Sequence, residues 1–365
     1  MPELPEVERA TALIRSVACG KVIVRVETSE DTIVYTGTDH TEFAKELTGR
    51  SVVDAARYGK VFYIKLDGEG RAPVLHFGMT GMLQVKGQLP TYYRKTPKTA
   101  SSDWPPRFMK AFILHLKNEA TGGISELAFL DARRLGRIRL CASPLTEPPI
   151  STLGFDPILS MPVLTDFQTA VLRRSCPIKA LLLDQSFSAG VGNWVADEIL
   201  YHAGVHPERR CNTLAPFEVQ KLHEQTQYVC KTAVAVNADD TKFPENWLFK
   251  HRWGKGKKKH TLLLPSGEPA TIKWVTVGGR TSAYVAELQQ VTGGINESED
   301  PPSVNQSDSD SDLTPLEEEE EITIVAIKAK RTRKVGYLAI KFLAGVLNNN
   351  VLPECRHCYA LQASN

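Results

Sequence analysis

Five prolines fall within residues 143–162, at Pro144, Pro148, Pro149, Pro157 and Pro162, and they constrain the fold more than any other feature of the chain. Each fixes φ and removes a backbone donor, so neither a helix nor a central strand runs through the stretch, and it divides the chain. On its N-terminal side, β-branched runs such as Val22-Ile23-Val24, Ser51-Val52-Val53, Val61-Phe62-Tyr63-Ile64 and Phe112-Ile113-Leu114 alternate with Gly, Asp and Thr turns. That pattern predicts an antiparallel β-sandwich or barrel up to about residue 141. A first helix would carry Leu4, Val7, Ala10, Ile14 and Val17 on one face, and a short second one would run near Glu42 to Leu47. On the C-terminal side the period becomes helical over Phe167 to Arg174, Lys179 to Leu183, Val195 to His202 and Pro216 to Val236. Thr261 to Val277 returns to strand-like alternation across Pro265-Ser266-Gly267, which predicts a small hairpin module. The expected class is α+β and multidomain: a β-sandwich with flanking helices over residues 1–142, a linker over 143–163, a helical domain over 164–245, a β-hairpin over 246–292 and a disordered tail over 293–365.

A chain of 365 residues with 42% hydrophobic content can bury two compact cores. It contains no run of about eighteen apolar residues, and its first segment is acidic without an apolar signal core. A soluble, unsecreted protein with no membrane partner is expected. Seven cysteines, an odd number and mostly isolated, suit a reducing compartment. The net charge of +2 hides an asymmetry. Residues 297–321 hold eleven acidic and no basic side chains, and residues 322–365 hold one acidic and seven basic ones, which leaves 37 basic against 30 acidic in residues 1–296. The part expected to fold is therefore basic, as a polyanion binder would be, although many basic domains bind nothing. In the tail, Lys328-Ala329-Lys330-Arg331-Thr332-Arg333-Lys334 fits a nuclear-import patch, and nuclear localisation is the expectation; such short basic runs also arise without function.

The start Met1-Pro2-Glu3-Leu4-Pro5-Glu6-Val7-Glu8 admits two readings. Proline near a helix start and glutamate in its first turn are favoured by fixed φ and by the helix macrodipole. Removal of Met1 would instead make Pro2 an N-terminal secondary amine with carboxylates at helical spacing beside it. Such an amine attacks an aldehyde-level carbon to give an iminium ion, an electron sink for breaking neighbouring bonds. An unperturbed α-amino group has a pKa of about 7.7–8.0, so roughly a tenth is neutral at pH 7 without a strong base.

Four strings settle the weighting. Pro2-Glu3-Leu4-Pro5-Glu6-Val7-Glu8, His76-Phe77-Gly78-Met79-Thr80-Gly81, Asp131-Ala132-Arg133-Arg134-Leu135-Gly136 and Gly190-Val191-Gly192-Asn193-Trp194-Val195-Ala196-Asp197-Glu198 occur in the order found in formamidopyrimidine-DNA glycosylases. The chain resembles that Fpg/Nei family over about residues 2–292. The resemblance implies a helix–two-turn–helix domain after the linker. It also implies a bifunctional DNA glycosylase and abasic-site lyase of base excision repair, acting as a monomer on double-stranded DNA without a cofactor. Formamidopyrimidines, 8-oxoguanine and hydantoins would be excised through a Pro2 iminium and β,δ-elimination. Glu3 would handle protons at the sugar, Glu6 would help orient the pair, and Lys60 would contact phosphate near the lesion. His76, Lys179 and Asn193 would also lie on the DNA.

An enzyme that acts on a base must take it out of the stack and fill the hole. Met79, between glycines, offers an apolar wedge, and Arg134 by resemblance faces the estranged base. Leu135 stands where family members commonly carry Phe, so stacking gives way to plain apolar contact. The bland readings are a solvated Lys60, a strand-core His76, a core-filling Met79 and a plain turn at Gly190-Val191-Gly192-Asn193, which otherwise presents backbone N–H groups to an anion at a helix N-terminus. Glu198 is read as ordering a helix junction.

Many relatives end in a finger with two CxxC pairs around zinc. Here the only CxxC is Cys355-Arg356-His357-Cys358, which does not close a structural site, and no metal is expected. Val277-Gly278-Gly279-Arg280-Thr281-Ser282-Ala283-Tyr284-Val285 is instead similar to the zincless finger of the plant and fungal branch, with Arg280 clamping phosphates. Without that resemblance it reads as a Gly-Gly turn followed by a solvated arginine.

Two rival classes remain: a damaged-DNA-binding protein of this fold that has lost catalysis, and a scaffold working through its tail. The first need not keep Pro2, Glu3 and Lys60 together. The second draws on residues 335–352, apolar enough for a helix that binds a protein partner. Lys255-Gly256-Lys257-Lys258-Lys259-His260 is either a solvated loop or a nonspecific DNA contact. If it touches phosphate, replacing Lys257, Lys258 and Lys259 by alanine lowers the slope of log K against log salt by about one for each phosphate no longer neutralised; an unchanged slope assigns the run to solvent.

Overall fold

Leu4–Ala18 forms helix α1, which buries Leu4, Val7, Ala10, Thr11, Ile14 and Ala18 on the stripe that the sequence period predicts. Its first turn is closed by Glu6, whose Oε2 accepts from the Glu3 N–H at 2.9 Å. The computed structural model describes residues 2–90, 102–106, 110–253 and 262–291. The Lys255–Lys259 run, the tail and Cys355 and Cys358 lie outside the described residues.

The N-terminal part is a sandwich of two four-stranded antiparallel sheets. One has the order β1-β6-β7-β5, from Val22–Thr28, Lys110–Lys117, Ile124–Leu130 and Met82–Val85. The other has the order β2-β3-β4-β8, from Val52–Tyr58, Val61–Leu66, Ala72–His76 and Arg137–Cys141. Ile23, Phe112 and Leu127 of the first sheet share one core with Ala55, Phe62 and Leu75 of the second and with α1. A run of rings crosses that core: Phe43 to Phe112 at 5.2 Å, Phe112 to Phe129 at 5.5 Å, Phe129 to Phe77 at 5.4 Å and Phe77 to Phe62 at 4.6 Å. Phe43 enters from α2, His40–Leu47, which begins two residues before the predicted helix because Asp39 caps it, accepting from Thr41 and Glu42 N–H at 2.7 and 2.8 Å.

The helical part comprises α3 (Leu164–Leu172), α4 (Ile178–Leu183), α5 (Asn193–Ala203) and α6 (Pro216–Ala235). Helix α5 ends at Gly204, which takes the left-handed conformation at φ +69°. The core of these helices gathers Phe167, Leu182, Val195, Leu222 and Val229, and it also takes in Leu4 from α1. Among the described residues, no helix is long and apolar enough to cross a membrane.

The C-terminal hairpin differs from the sequence expectation. The chain does turn back across Pro265-Ser266-Gly267, with Leu264 N–H donating to the Glu268 carbonyl at 2.7 Å and Ala270 N–H to the Leu262 carbonyl at 2.8 Å, but only one bridge, Leu263 to Pro269, flanks that turn. The hairpin proper pairs β9 (Ile272–Val277) with β10 (Arg280–Val285) across Gly278-Gly279. Both glycines have positive φ, +60° and +70°, the turn whose twist matches that of paired strands.

The proline-rich linker is packed against its neighbours. Phe155 bridges Ser188, and Gly154 N–H donates to the Gln185 carbonyl at 2.9 Å. Asp156, fully buried, accepts from the Arg57 guanidinium of β2 and from the Gly59 N–H at 2.8 Å, while Arg57 Nε also reaches Glu8 at 2.8 Å. This buried pair joins β2 and α1 to the linker. Removing one partner leaves an uncompensated charge, so Arg57→Ala is expected to cost roughly 3–5 kcal/mol of unfolding free energy in urea titrations. A loss below about 1 kcal/mol would mean that the pair is a solvated one.

Candidate active site

Glu3 is 2% exposed, and both of its carboxylate oxygens point into the N-terminus of α5. Oε1 accepts from the Trp194 N–H at 3.0 Å and Oε2 from the Val195 N–H at 3.1 Å. The sequence offers those N–H groups as an anion site for a ligand, and the structure corrects this: the anion they hold is the chain's own Glu3. Gly192 is required there, since a Cβ on it would stand 2.3 Å from Glu3 Cδ. Glu6 completes the arrangement, with Oε1 accepting from the Trp194 indole N–H at 3.0 Å. Pro2 is buried at the start of this segment.

A cavity of about 270 Å³ opens beside Gly192 and Asn193 and is walled by Lys60, His76, Gln185 and Arg280. Lys60 follows the β2–β3 turn, where Gly59 at φ +59° lies against Ala189 and Gly190 too closely for a side chain. Its ammonium donates to the Val191 carbonyl at 3.0 Å. Burial lowers the Lys60 pKa below the usual lysine range; the Glu3 and Glu6 carboxylates oppose the shift and the Arg280 cation adds to it. His76 is held at about 4 by burial first and then by Lys60 and Arg137, so it is neutral near pH 7. Its Nδ1 accepts from the Gly78 N–H at 3.0 Å, which puts the proton on Nε2 and makes that nitrogen a neutral donor. Asn193 Nδ2 donates to the Thr281 carbonyl of β10 at 3.0 Å, tying helix α5 to the hairpin next to Arg280.

The sequence-predicted residues thus fall into three groups. Glu3, Glu6, Lys60, His76, Asn193 and Arg280 gather around the cavity and the α5 N-terminus, next to Pro2. Met79, Arg134 and Leu135 form a second cluster on two touching loops, because a Cβ on Gly78 would meet the Leu135 carbonyl at 2.3 Å. Leu135 is 38% exposed, and Met79 is half-buried. Arg134, at φ +53°, makes a fork with Asp31 at 2.7 and 2.9 Å, which lowers the Asp31 pKa. Lys179 stands apart and is corrected: expected on the DNA, it is fully buried, paired with Asp197, and donates to the Asn193 carbonyl at 2.8 Å. A lysine so desolvated stays in place only with a carboxylate beside it. Glu198 orders a junction as read, accepting from the Leu248 and Phe249 N–H groups at 3.0 and 2.8 Å.

Sequence reading missed four organisers. Gln185 clamps the 190–192 loop, donating to Val191 O at 2.9 Å and accepting from Gly190 N at 3.0 Å. Asp131 joins the Met79 and Leu135 loops, accepting from Thr80 Oγ1 at 3.1 Å and Gly136 N at 2.5 Å. Asp31 and Asp197 are the others. Only Asp131 and Asp197 lie inside the four family motifs, and nothing local in the sequence marks a carboxylate whose partners lie far along the chain. Among the described residues, no group of three or more His, Cys, Asp or Glu is placed to hold a metal ion.

Residues 1–138 match the N-terminal domain of formamidopyrimidine-DNA glycosylase, and residues 153–245 match the H2TH domain of the same enzyme. A formamidopyrimidine-DNA glycosylase of Arabidopsis thaliana is 37% identical over 293 residues, which span 80% of this chain and 72% of that protein. The chain belongs to the formamidopyrimidine-DNA glycosylase family. A formamidopyrimidine-DNA glycosylase from Listeria innocua is 31% identical over 301 residues, 80% of this chain and all of the bacterial one. The fold is that of Lactococcus lactis Fpg, solved non-covalently bound to DNA containing an abasic site, with a TM-score of 0.63 at 23% identity over 79% of this chain and 99% of that one. The two matched domains meet, in this member of the family, at Glu3 and α5.

Glu6 gives that junction a pH signature. Burial, and then the charge of Glu3, raise its pKa from 4.5 to about 7. A raised carboxylate binds its proton more tightly in the folded state, so its contribution to stability is fully present below pH 4.5 and is lost as pH climbs through about 7. Relative to Glu6→Gln, the wild type is expected to lose roughly 3 kcal/mol across that window, read from urea midpoints. A constant difference would place the perturbed proton elsewhere.

Proposed function

We propose that the chain is a bifunctional DNA glycosylase and abasic-site lyase that excises oxidised purines from double-stranded DNA. The observation that carries this reading is the placement of the Glu3 carboxylate, one residue from Pro2, against the Gly192–Asn193 edge of a cavity walled by Lys60, His76 and Arg280. Two cations and a neutral imidazole N–H suit a sugar flanked by phosphates. With Met1 removed, the Pro2 nitrogen attacks C1′ and the damaged base departs as the C1′–N bond breaks. The proton lost by the Pro2 nitrogen goes with the base; the C1′–O4′ bond then breaks, O4′ takes a proton passed by Glu3, and an iminium is left between Pro2 and the sugar. Each Glu3 oxygen accepts one N–H and keeps a second lone-pair direction, which can take the proton leaving C2′ or face the cationic iminium. Loss of that C2′ proton drives elimination of the 3′ phosphate, and a second elimination releases the 5′ phosphate.

Formamidopyrimidines, 8-oxoguanine and hydantoin products of guanine are the substrates this reading implies. Met79 and Leu135, on their two joined loops, enter the space the flipped nucleotide leaves. Arg134, beside Leu135 on the same loop, is the residue this reading assigns to the estranged base. Its fork leaves Nη1 donors outside the Asp31 pair. The acidic and basic tail is proposed to serve localisation to the nucleus rather than chemistry.

Borohydride reduction tests the mechanism by converting the iminium to a stable amine. Incubated with a duplex holding one 8-oxoguanine or abasic site, the mature protein should give a covalent adduct on Pro2, lost when Met1 is retained. Base release without any trapped adduct would overturn the proline mechanism. Glu3→Gln should reduce turnover about a hundredfold or more while DNA binding persists, and normal turnover would remove Glu3 from catalysis.

A further inference from the structure

Asp197 is the most heavily bonded buried carboxylate in the helical part, and neither the sandwich nor the proposed chemistry uses it. It lies one helical turn after Asn193, fully buried. Its Oδ1 accepts from the Lys179 ammonium of α4 and from the Ser282 hydroxyl of β10. Its Oδ2 accepts from Arg252 Nε at 3.0 Å, from the same guanidinium's Nη2 at 2.5 Å, and from the Ala283 N–H at 3.2 Å. One carboxylate therefore joins α4, α5, the segment before the hairpin and the hairpin itself.

The hairpin needs such an anchor. It is two-stranded, and an isolated two-stranded hairpin is marginal in water. Three interactions converge on its tip. Gly278 sits tightly on Ala180 of α4, a Cβ there being 3.2 Å from the Ala180 Cβ. Thr281 O accepts from Asn193 Nδ2 at 3.0 Å. Ser282 bonds Asp197 one residue further on. Arg280, at the cavity wall, is two residues from that last bond, so its direction is fixed by the register the hub imposes. Lys179 closes the ring of bonds by donating to the Asn193 carbonyl at 2.8 Å.

We infer that Asp197, acting through Ser282, is a positioning residue that holds the hairpin arginine Arg280 over the cavity and links its placement to Asn193 at the start of α5. This deepens the proposed glycosylase reading and rests on it. The hub works as a latch made of charge: Lys179 and Arg252 keep Asp197 ionised and stationary, and the hairpin is held through a hydroxyl and one backbone N–H. The hydroxyl is the part that can be removed without disturbing the two cations.

Ser282→Ala deletes that single hydrogen bond and leaves Asp197 paired with Lys179 and Arg252, whereas Asp197→Asn strands two buried cations and risks the fold. Single-turnover cleavage of an abasic-site duplex is expected to fall about tenfold in Ser282→Ala, the loss of one hydrogen bond to a charged group. Ser282→Thr, which keeps the hydroxyl, should recover at least a third of the wild-type rate. The decisive comparison is a double-mutant cycle: if the hub acts through Arg280, Ser282→Ala costs less than twofold in an Arg280→Ala background. An equal loss in both backgrounds would overturn the assignment and leave Ser282 a stability residue. Hydrogen exchange reads the latch without any activity. Faster exchange over residues 272–285 with unchanged exchange over 193–203 supports it; unchanged exchange throughout, or loosening of both segments, overturns it. A wild-type protein that cleaves nothing would sink the glycosylase reading alone, because the exchange result still decides whether the hub holds the hairpin.

Discussion

The architecture depends on one carboxylate in one place. Glu3 satisfies two N–H groups at the start of α5, groups that a helix leaves without intrahelical partners, and it does so from the opposite end of the sequence. The favourable interaction of an anion with a helix N-terminus is ordinarily a ligand-binding device. Here it fastens α1 onto the helical part and holds the Pro2–Glu3 segment beside the cavity edge at Gly192. Leu4, the next residue, belongs to the helical core while Val7 belongs to the sandwich core, so α1 is shared between both. The glycines at 59, 190 and 192 make this approach sterically possible, since Gly190 and Gly59 lie back to back and Gly192 faces Glu3.

The apolar stripe of α1, the strand runs and the four helices after the linker were legible because they follow from local periodicity. Their limits shift by only a few residues: α3 starts at Leu164 rather than Phe167, and α5 at Asn193 rather than Val195. The residues that gather at the cavity were legible because their motifs are specific. The hairpin was legible only in part because a Pro-Ser-Gly string and a Gly-Gly string both signal a turn and both reverse the chain, while the named strands pair across the second. Lys179 was misread because sequence cannot distinguish a lysine facing phosphate from one facing a carboxylate eighteen residues later. Its partner Asp197 also binds Ser282, eighty-five residues away, a pairing no period encodes.

The buried charges share a pattern. Arg57 with Asp156, and Lys179 and Arg252 with Asp197, sit where separate segments converge. Apolar side chains of the same volume would fill those places at similar or lower free energy, but they would not fix direction. Geometry is what these sites require: a guanidinium aimed at a cavity tolerates little rotation. The desolvation of these groups is offset by the orientation they give: Gly59 bonds Asp156, Asn193 bonds Lys179, and Arg280 lies two residues from the Ser282 that bonds Asp197.

The Glu3–Trp194 bond spans 191 residues of sequence, and that separation orders events during synthesis. Residue 3 is synthesised well before its docking partner, which emerges only after the sandwich and linker have been made, at a rate of about 5–20 residues per second. For that interval of roughly ten seconds or more, the segment bearing Pro2 and Glu3 has no α5 to receive it. The segment bearing Pro2 and Glu3 therefore stays undocked until the start of α5 has been made. The contact that fastens α1 to α5 is thus among the late ones the chain can complete, however early the sandwich itself has folded.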